Sequence, residues 1–314
     1  MINRLGGLVL LLLVAGGFAC APRGLQPGEG FVDVPGGRVW YRIAGGGTAT
    51  PLLLLHGGPG APSYYLNPLA ALADERPVIF YDQLGAGRSD PITDTTLLTV
   101  DRFVAELAAV REALGLDEVH ILGHSWGTML ATDYLLTKPT GVRSVILASP
   151  AISIPRWLAD ADTLLATMPD SIQDAVARHE AAGTFEAPEY QAAVLAFYER
   201  YLSRRLPWSA DVDSTFARFS ATVYGYMWGP SEFTSTGTLR DYDRTDRLGE
   251  LTVPTLFTTG RHDEARPGTV EYYRSLVPGA ELAILEHSAH LTMQDEPEEN
   301  VRIVREFLRR VEGR

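Results

Sequence analysis

The 314-residue chain holds a single cysteine, Cys20, so no disulfide framework can staple it. Positive charge is scarce: 27 Lys and Arg stand against 39 Asp and Glu, giving a formal net charge of -12 and a pI near 5.1. That balance argues against nucleic acid and against an anionic membrane surface as partners. It favours cationic substrates. The charges form no block of like sign, and there is no internal repeat or low-complexity segment. The N-terminal apolar run, Leu5 to Ala19, is shorter than the ~20 residues that a membrane span needs. The glycine-rich stretch at His56-Gly57-Gly58-Pro59-Gly60 lacks the Lys-Ser/Thr ending and the wider spacing of a phosphate loop. No cofactor or metal site is expected. At 46% hydrophobic, the chain can bury a large core in one domain with an insertion, or in two modest domains.

The N-terminus is organised for export. Met1-Ile2-Asn3-Arg4 is a short basic start, the apolar run follows, and Cys20 comes directly after Ala19. This reads as a secretory signal over residues 1-19 rather than a transmembrane helix. Ending in Gly17-Phe18-Ala19-Cys20, it resembles a bacterial lipoprotein signal, which implies lipidation at Cys20 and a location in the periplasm or cell envelope. Ordinary cleavage near Ala19–Ala21 and an uncleaved anchor are the alternatives. Membrane contact is expected only through this segment.

Beyond a linker at Gly24 to Gly30, the chain alternates strands and helices. Phe31–Val34 and Arg38–Ile43 around Pro35-Gly36-Gly37 predict a hairpin. Leu52–Leu55, Pro77–Tyr81, Val119–Leu122 and Val142–Ala148 are apolar runs of the kind buried on both faces of a sheet. Helices are expected near Leu66–Leu72, over Val100–Leu114 and over Thr128–Leu136. From Ile154 to Tyr226 the strand pattern disappears, and helical runs dense in aromatics replace it. Strands return at Val253–Gly260 and Glu281–Leu285, with helices near Gly268–Leu276 and from Pro297. The expected fold is α/β: a mainly parallel sheet with helices on both faces and an inserted helical cap. The divisions are residues 20-149 (first part of the core), 150-240 (cap) and 241-314 (second part of the core).

The stretch Gly123-His124-Ser125-Trp126-Gly127 lies between a strand and a helix, the context in which Gly-x-Ser-x-Gly forms a nucleophile elbow. Ser125 is read as a nucleophile. The Trp126 amide falls at a helix N-terminus, where N–H groups can bind an anion. A serine hydroxyl needs a base within hydrogen-bond reach and an acid to orient that base. Those partners should follow in the order acid, then His, on loops after strands. Arg261-His262-Asp263-Glu264 and Glu286-His287-Ser288-Ala289-His290 fall there. Asp263 is the first choice of acid, with Glu264 its rival and Asp246 a distant third. The base is His290 or His287, and the adjoining C-terminal helix favours His290. A second oxyanion donor is expected at Gly57 or Gly58. His56 is expected to shape that loop rather than carry protons.

With these residues placed, the chain resembles the prolyl iminopeptidase family of α/β-hydrolases, over nearly all of its length after about Gly30. The resemblance rests on His56–Gly60, Asp82-Gln83-Leu84-Gly85-Ala86-Gly87-Arg88-Ser89, Gly123–Gly127, Gly229-Pro230-Ser231-Glu232-Phe233-Thr234, Gly260–Glu264 and Ser288–Thr292. It is strongest toward the branch that includes tricorn-interacting aminopeptidase. It implies an α/β-hydrolase fold and a serine aminopeptidase that releases N-terminal residues from small peptides or aminoacyl amides with a free N-terminus. It implies Ser125, Asp263 and His290 as the triad, Gly58 and Trp126 as oxyanion donors, and Glu232 and Glu264 as ligands for the substrate α-ammonium. His124 occupies a position filled in the same way in many esterases and lactonases of this fold. An esterase or lactonase using the same triad is therefore the alternative.

Overall fold

The computed structural model describes residues 25–313. The signal segment and Cys20 lie outside the described residues.

An eight-stranded sheet forms the centre, in the order β1-β2-β4-β3-β5-β6-β7-β8. The strands are β1 (Gly28–Val34), β2 (Gly37–Ala44), β3 (Leu52–Leu55), β4 (Val78–Tyr81), β5 (Val119–His124), β6 (Val142–Ala148), β7 (Thr255–Gly260) and β8 (Glu281–Leu285). The β1/β2 and β2/β4 pairs are antiparallel, and every pairing from β4 to β8 is parallel. The hairpin begins earlier than its apolar residues suggest. Gly28, Glu29 and Gly30 pair with Ile43, Arg42 and Tyr41, so the last three residues of the expected linker are strand. Backbone pairing, to which the side chains give no clue, extends it.

The four leucines of β3 are fully buried and alternate between layers. Leu53 and Leu55 join a layer containing Phe103, Leu107 and Val110. Those residues lie on α1 (Val100–Ala113), which pairs with the elbow helix α2 (Trp126–Leu136). Leu52 and Leu54 face the other layer, with Leu66, Leu69, Phe307 and Leu308. The expected helix near Leu66 is a longer 3₁₀ segment, Ser63–Asp74, with Pro68 inside it. Proline has no N–H for an α-helical ladder and its ring clashes with the carbonyl four residues back, and the segment takes the tighter 3₁₀ winding.

Between β6 and β7 the chain forms α3 (Ile154–Leu165), α4 (Asp170–Ala182), α5 (Pro188–Tyr201), α6 (Ala210–Ala217) and α7 (Ala221–Met227). Two small cores, around Tyr190 and around Phe197, join α3, α4 and α5, while α6 packs through Val212 and α7 through Val223 and Met227 onto the two main layers. The chain closes with α8 (Pro267–Leu276), α9 (Thr292–Asp295) and α10 (Pro297–Val311). In α10, Val301, Val304, Phe307 and Leu308 are buried at helical spacing, with acids in the first turn and Arg309 and Arg310 in the last. Among the described residues no helix is long and apolar enough to cross a membrane.

This topology fixes where a site can be. The chain runs from β3 outward to β4, then returns past β3 to β5. The crevice at that reversal, beyond the carboxyl ends of the strands, is where open α/β sheets bind ligands. The loops after β3 and β5 meet there.

Candidate active site

Ser125 sits between the last residue of β5 and the first of α2, at φ 53° and ψ -121°. A non-glycine residue in this region is strained and persists only where its surroundings over-determine it. Three hydrogen bonds do so. The Ser125 N–H donates to the Ala148 carbonyl at 3.0 Å, and the Ser125 carbonyl accepts from the Thr128 N–H at 2.8 Å and hydroxyl at 2.6 Å. The flanking glycines serve close packing. A Cβ on Gly123 would lie 2.3 Å from the Gly127 carbonyl oxygen, and one on Gly127 would lie 2.2 Å from that of Leu55. Among the described residues the Ser125 hydroxyl makes no hydrogen bond, and it faces a cavity.

His290 and Asp263 meet as the strand order requires. His290 Nδ1 is 2.8 Å from Asp263 Oδ1. A carboxylate only accepts, so Nδ1 carries the proton and Nε2 is left to act as base. Burial by itself would raise the Asp263 carboxyl. The charge and hydrogen bond of His290, with Ser149 and the Ala265 N–H, outweigh it and hold the carboxyl below its ordinary value. Thr259 Oγ1 and the Gly260 N–H bind the other oxygen at 3.0 and 3.3 Å. The His290 ring lies between His124 and Trp157, with ring centroids 4.6 and 5.5 Å away. The His290 backbone N–H donates to the Tyr201 carbonyl at the end of α5, which ties the cap to the histidine loop.

The rivals separate cleanly. His287 is exposed, and its N–H is bound to Glu296. Asp246 lies in the 3₁₀ turn Thr245–Glu250 and does not line the cavity. Glu264 does line it, but at 3.6 Å from His290 Nε2, on the reacting side of the ring. His120 is a core residue, bound to Ser144 Oγ and Glu312, and burial pushes it down to about 4.

In the loop after β3, Gly57 donates its N–H to the Tyr65 hydroxyl at 2.8 Å. The Gly58 N–H has no hydrogen bond among the described residues. Gly58 lies at φ +107°, where an added Cβ would fall 2.6 Å from two backbone nitrogens. Between Gly57 and Gly58, then, Gly58 is the donor left available. The N–H of Trp126 is the first of α2 and has no preceding helical carbonyl. His56 holds this loop to its neighbour. Its Nε2 accepts the Gln83 N–H at 2.8 Å, and burial pulls it below its ordinary pKa, so it stays neutral. Gln83 in turn donates to the His56 carbonyl and accepts the Trp126 indole N–H, so it bridges loop and elbow.

Sequence reasoning missed Tyr65. Its oxygen accepts the Gly57 N–H, and its O–H donates to His124 Nδ1, 2.9 Å away, because the His290 carbonyl can only accept and so fixes the His124 proton on Nε2. His124 Nε2 then donates to the His290 carbonyl at 3.0 Å. His124 is buried and held down to about 3, first by burial and then by the adjacent His290. It is a neutral strut between the Gly57–Gly58 loop and the His290 loop. No local signal marks this link, since Tyr65 and His124 stand 59 residues apart.

The cavity encloses about 170 Å³ and is lined by Ser125, His290, Glu232 and Glu264 with an apolar wall that includes Tyr198, Phe216, Phe219 and Tyr224. Glu232 Oε1 accepts the Trp157 indole N–H at 3.1 Å. Its Oε2 accepts the Tyr224 and Tyr198 hydroxyls at 2.9 and 3.3 Å. Glu264 is 4% exposed, and its Oε2 is buried with no hydrogen-bond partner. Burial, followed by the charges of Glu232 and Asp263, raises Glu264 well above the usual carboxylate range. Burial also raises Glu232, against the pull of its three donors and of His290. With no donor of its own, Glu264 is therefore the acid of the pair whose charged form is less supported. Among the described residues no group of three or more His, Cys, Asp or Glu side chains could hold a metal ion.

The switched sheet and the elbow at Ser125 define an α/β-hydrolase. A family model described as the alpha/beta hydrolase fold matches residues 50–297. The chain is 49% identical over 284 residues to proline iminopeptidase of Heyndrickxia coagulans, covering 89% of this chain and 98% of that relative. The crystal structure of VinJ superimposes with a TM-score of 0.88 at 37% identity, covering 91% of this chain and all of the other. The crystal structure of proline iminopeptidase from Mycobacterium smegmatis gives 0.85 at 35% identity, covering 90% of this chain and 98% of that one. This chain belongs to the proline iminopeptidase family of α/β-hydrolases.

Proposed function

We propose that this protein is a serine aminopeptidase that releases N-terminal residues from small peptides or aminoacyl amides with a free N-terminus. Ser125 Oγ attacks the carbonyl carbon of the first residue, and His290 Nε2 takes its proton. Asp263 holds the imidazole in the required tautomer and stabilises the imidazolium. The Gly58 and Trp126 N–H groups receive the oxyanion, each donor of this kind supplying about 10²–10³ in rate. The C–N bond breaks, and the leaving amine takes the proton from His290. Water, deprotonated by His290, attacks the acyl-Ser125 ester. The proton returns to Ser125 Oγ and the amino acid leaves.

One observation carries the choice of substrate. Two buried acids, Glu232 and Glu264, line the cavity with His290, Glu264 lies 3.6 Å from Nε2, and one oxygen of Glu264 lacks a partner. A substrate α-ammonium supplies the missing donor and cation together. Opposite charges about 4 Å apart attract by roughly 4 kcal/mol at an effective dielectric near 20. An esterase or lactonase with a neutral acyl group would bring no cation to this buried acid pair. The cavity, about 170 Å³, suits one side chain, since a cavity of about 150 Å³ holds a benzene ring.

The test is Glu232→Gln. Losing one charge-assisted bond costs about 1.5–3 kcal/mol, so kcat/KM for an aminoacyl anilide should fall roughly 10- to 150-fold relative to that for a neutral ester. An unchanged ratio contradicts the assignment. We further propose that residues 1–19 direct export to the periplasm or cell envelope and that Cys20 carries a lipid. Fractionation and palmitate labelling of wild type and Cys20→Ala check this, and unlabelled protein in the cytosol refutes it.

A further inference from the structure

Glu232 stands on a short turn, and a second carboxylate outside the cavity lining anchors both ends of that turn. Glu180, on α4, accepts three hydroxyl hydrogen bonds. Ser231 Oγ donates to its Oε1 at 2.5 Å, Tyr190 of α5 donates to the same oxygen at 2.5 Å, and Thr234 Oγ1 donates to Oε2 at 2.6 Å. Ser231 and Thr234 also form an antiparallel bridge with each other. Ser231 Oγ accepts the N–H groups of Phe233 and Thr234 at 3.3 and 3.1 Å, so one hydroxyl both closes the turn and ties it to α4. The Ser231 carbonyl is held by the Trp228 indole at 2.8 Å. The Glu232 side chain leaves this fixed turn toward Trp157, Tyr198 and Tyr224.

We infer that Glu180 is a positioning residue for substrate-amine recognition: it locks the Ser231–Thr234 turn so that the Glu232 carboxylate meets the α-ammonium. The inference rests on the amine-binding reading of Glu232. The chemistry supports a locking rather than a binding role. Both Glu180 oxygens are occupied by hydroxyl donors, and Glu180 is not part of the cavity wall. Charge-assisted bonds of this length are about twice as strong as neutral ones. The same carboxylate joins α4, α5 and the turn, so the place of Glu232 is set by the helices rather than by a free loop.

The test uses Glu180→Ala, Glu180→Gln and Thr234→Val in the full chain. Glu180→Gln keeps an acceptor for Ser231 and Tyr190. Thr234→Val removes a single donor without touching α4. For each variant KM and kcat are measured on an aminoacyl anilide with a free amine and on a neutral acyl ester, with circular dichroism as a folding check. A misplacement of about 1 Å can cost up to 10²-fold. Glu180→Ala should therefore raise KM for the free-amine substrate about 10-fold or more, with kcat and the ester reaction much less affected. Glu180→Gln should recover most of the loss, and Thr234→Val should show a smaller effect of the same kind. Equal losses on both substrates, or an unchanged KM in folded Glu180→Ala and Thr234→Val, would overturn the inference. Glu232→Gln runs in parallel. If it discriminates while the Glu180 and Thr234 variants do not, this inference alone fails; if it too is silent, the amine-binding reading fails with it.

Discussion

The strut from Tyr65 through His124 gives a prediction whose size follows from the structure. Tyr65→Phe removes one oxygen from a residue that is 2% exposed. Two buried groups lose their partner at once, the Gly57 N–H at 2.8 Å and His124 Nδ1 at 2.9 Å. Each stranded polar group costs about 1–3 kcal/mol, or roughly 2–6 kcal/mol together. At about 2–4 °C per kcal/mol for a chain of this order, the melting temperature should fall by on the order of 10 °C. Catalysis should suffer separately. The His56–Gly57 peptide, next to the one that carries the Gly58 donor, loses its anchor, and losing an aligned oxyanion donor costs up to about 10²–10³ in kcat. Glu232 and Glu264 are not touched, so KM for a free-amine substrate should change far less than kcat. His124→Ala breaks the same link from its other end. The double variant should thus be less damaged than the sum of the two singles, a coupling of about 0.5–3 kcal/mol. Stopped-flow acylation, steady-state kinetics and calorimetry on the four proteins supply the cycle. Strict additivity, or a Tyr65→Phe protein with wild-type kcat and melting temperature, would refute the strut.

Two further predictions test other parts of the site. Gly127→Ala places a Cβ 2.2 Å from the Leu55 carbonyl oxygen, where only backbone movement can relieve it, so little soluble folded protein should be recovered and fluorophosphonate should label none of it. The affinity for a free-amine substrate should rise with pH through the titration of the Glu232–Glu264 pair, because burial and mutual repulsion favour the protonated form of Glu264, whose proton the ammonium must displace. It should then fall as the substrate amine deprotonates near pH ~8. In Glu264→Gln the remaining acid no longer feels a like charge, so the acid limb of KM should move to lower pH; a limb that stays in place or moves upward contradicts the shared proton.

Much of this site was legible in the chain because each part follows a strand in a fixed order. Ser125, Asp263 and His290 are each on the loop after a strand, and strand ends can be read from apolar runs. The glycines at 123 and 127 were also legible, although their cause is the nearness of the Gly127 and Leu55 carbonyls. What stayed hidden depends on contacts between distant segments. The Asp82–Ser89 motif was visible, but not its role. Asp82 is buried, and it binds Arg88 and the Ser63 N–H and hydroxyl to pin the loop over the sheet. The cap aromatics look alike in sequence, yet Phe197 and Tyr201 fill a small core while Tyr198 and Tyr224 turn to Glu232. Helical phase alone does not say which face meets a cavity. The bonds from Glu180 to Ser231 and Thr234, across 51 and 54 residues, follow only from the packing of α4 against that turn.

The most direct test of the whole account compares pairs of fluorogenic aminoacyl amides of Pro, Ala, Leu and Phe, each with a free α-amine and with the amine acetylated. Ser125→Ala serves as the blank. Acetylation removes the cation and adds bulk at the carboxylate pair, so the wild-type protein should cleave the free forms and leave the acetylated forms near the blank. Equal cleavage of both members of each pair would contradict an aminopeptidase and return the site to esterase or amidase chemistry on neutral acyl groups.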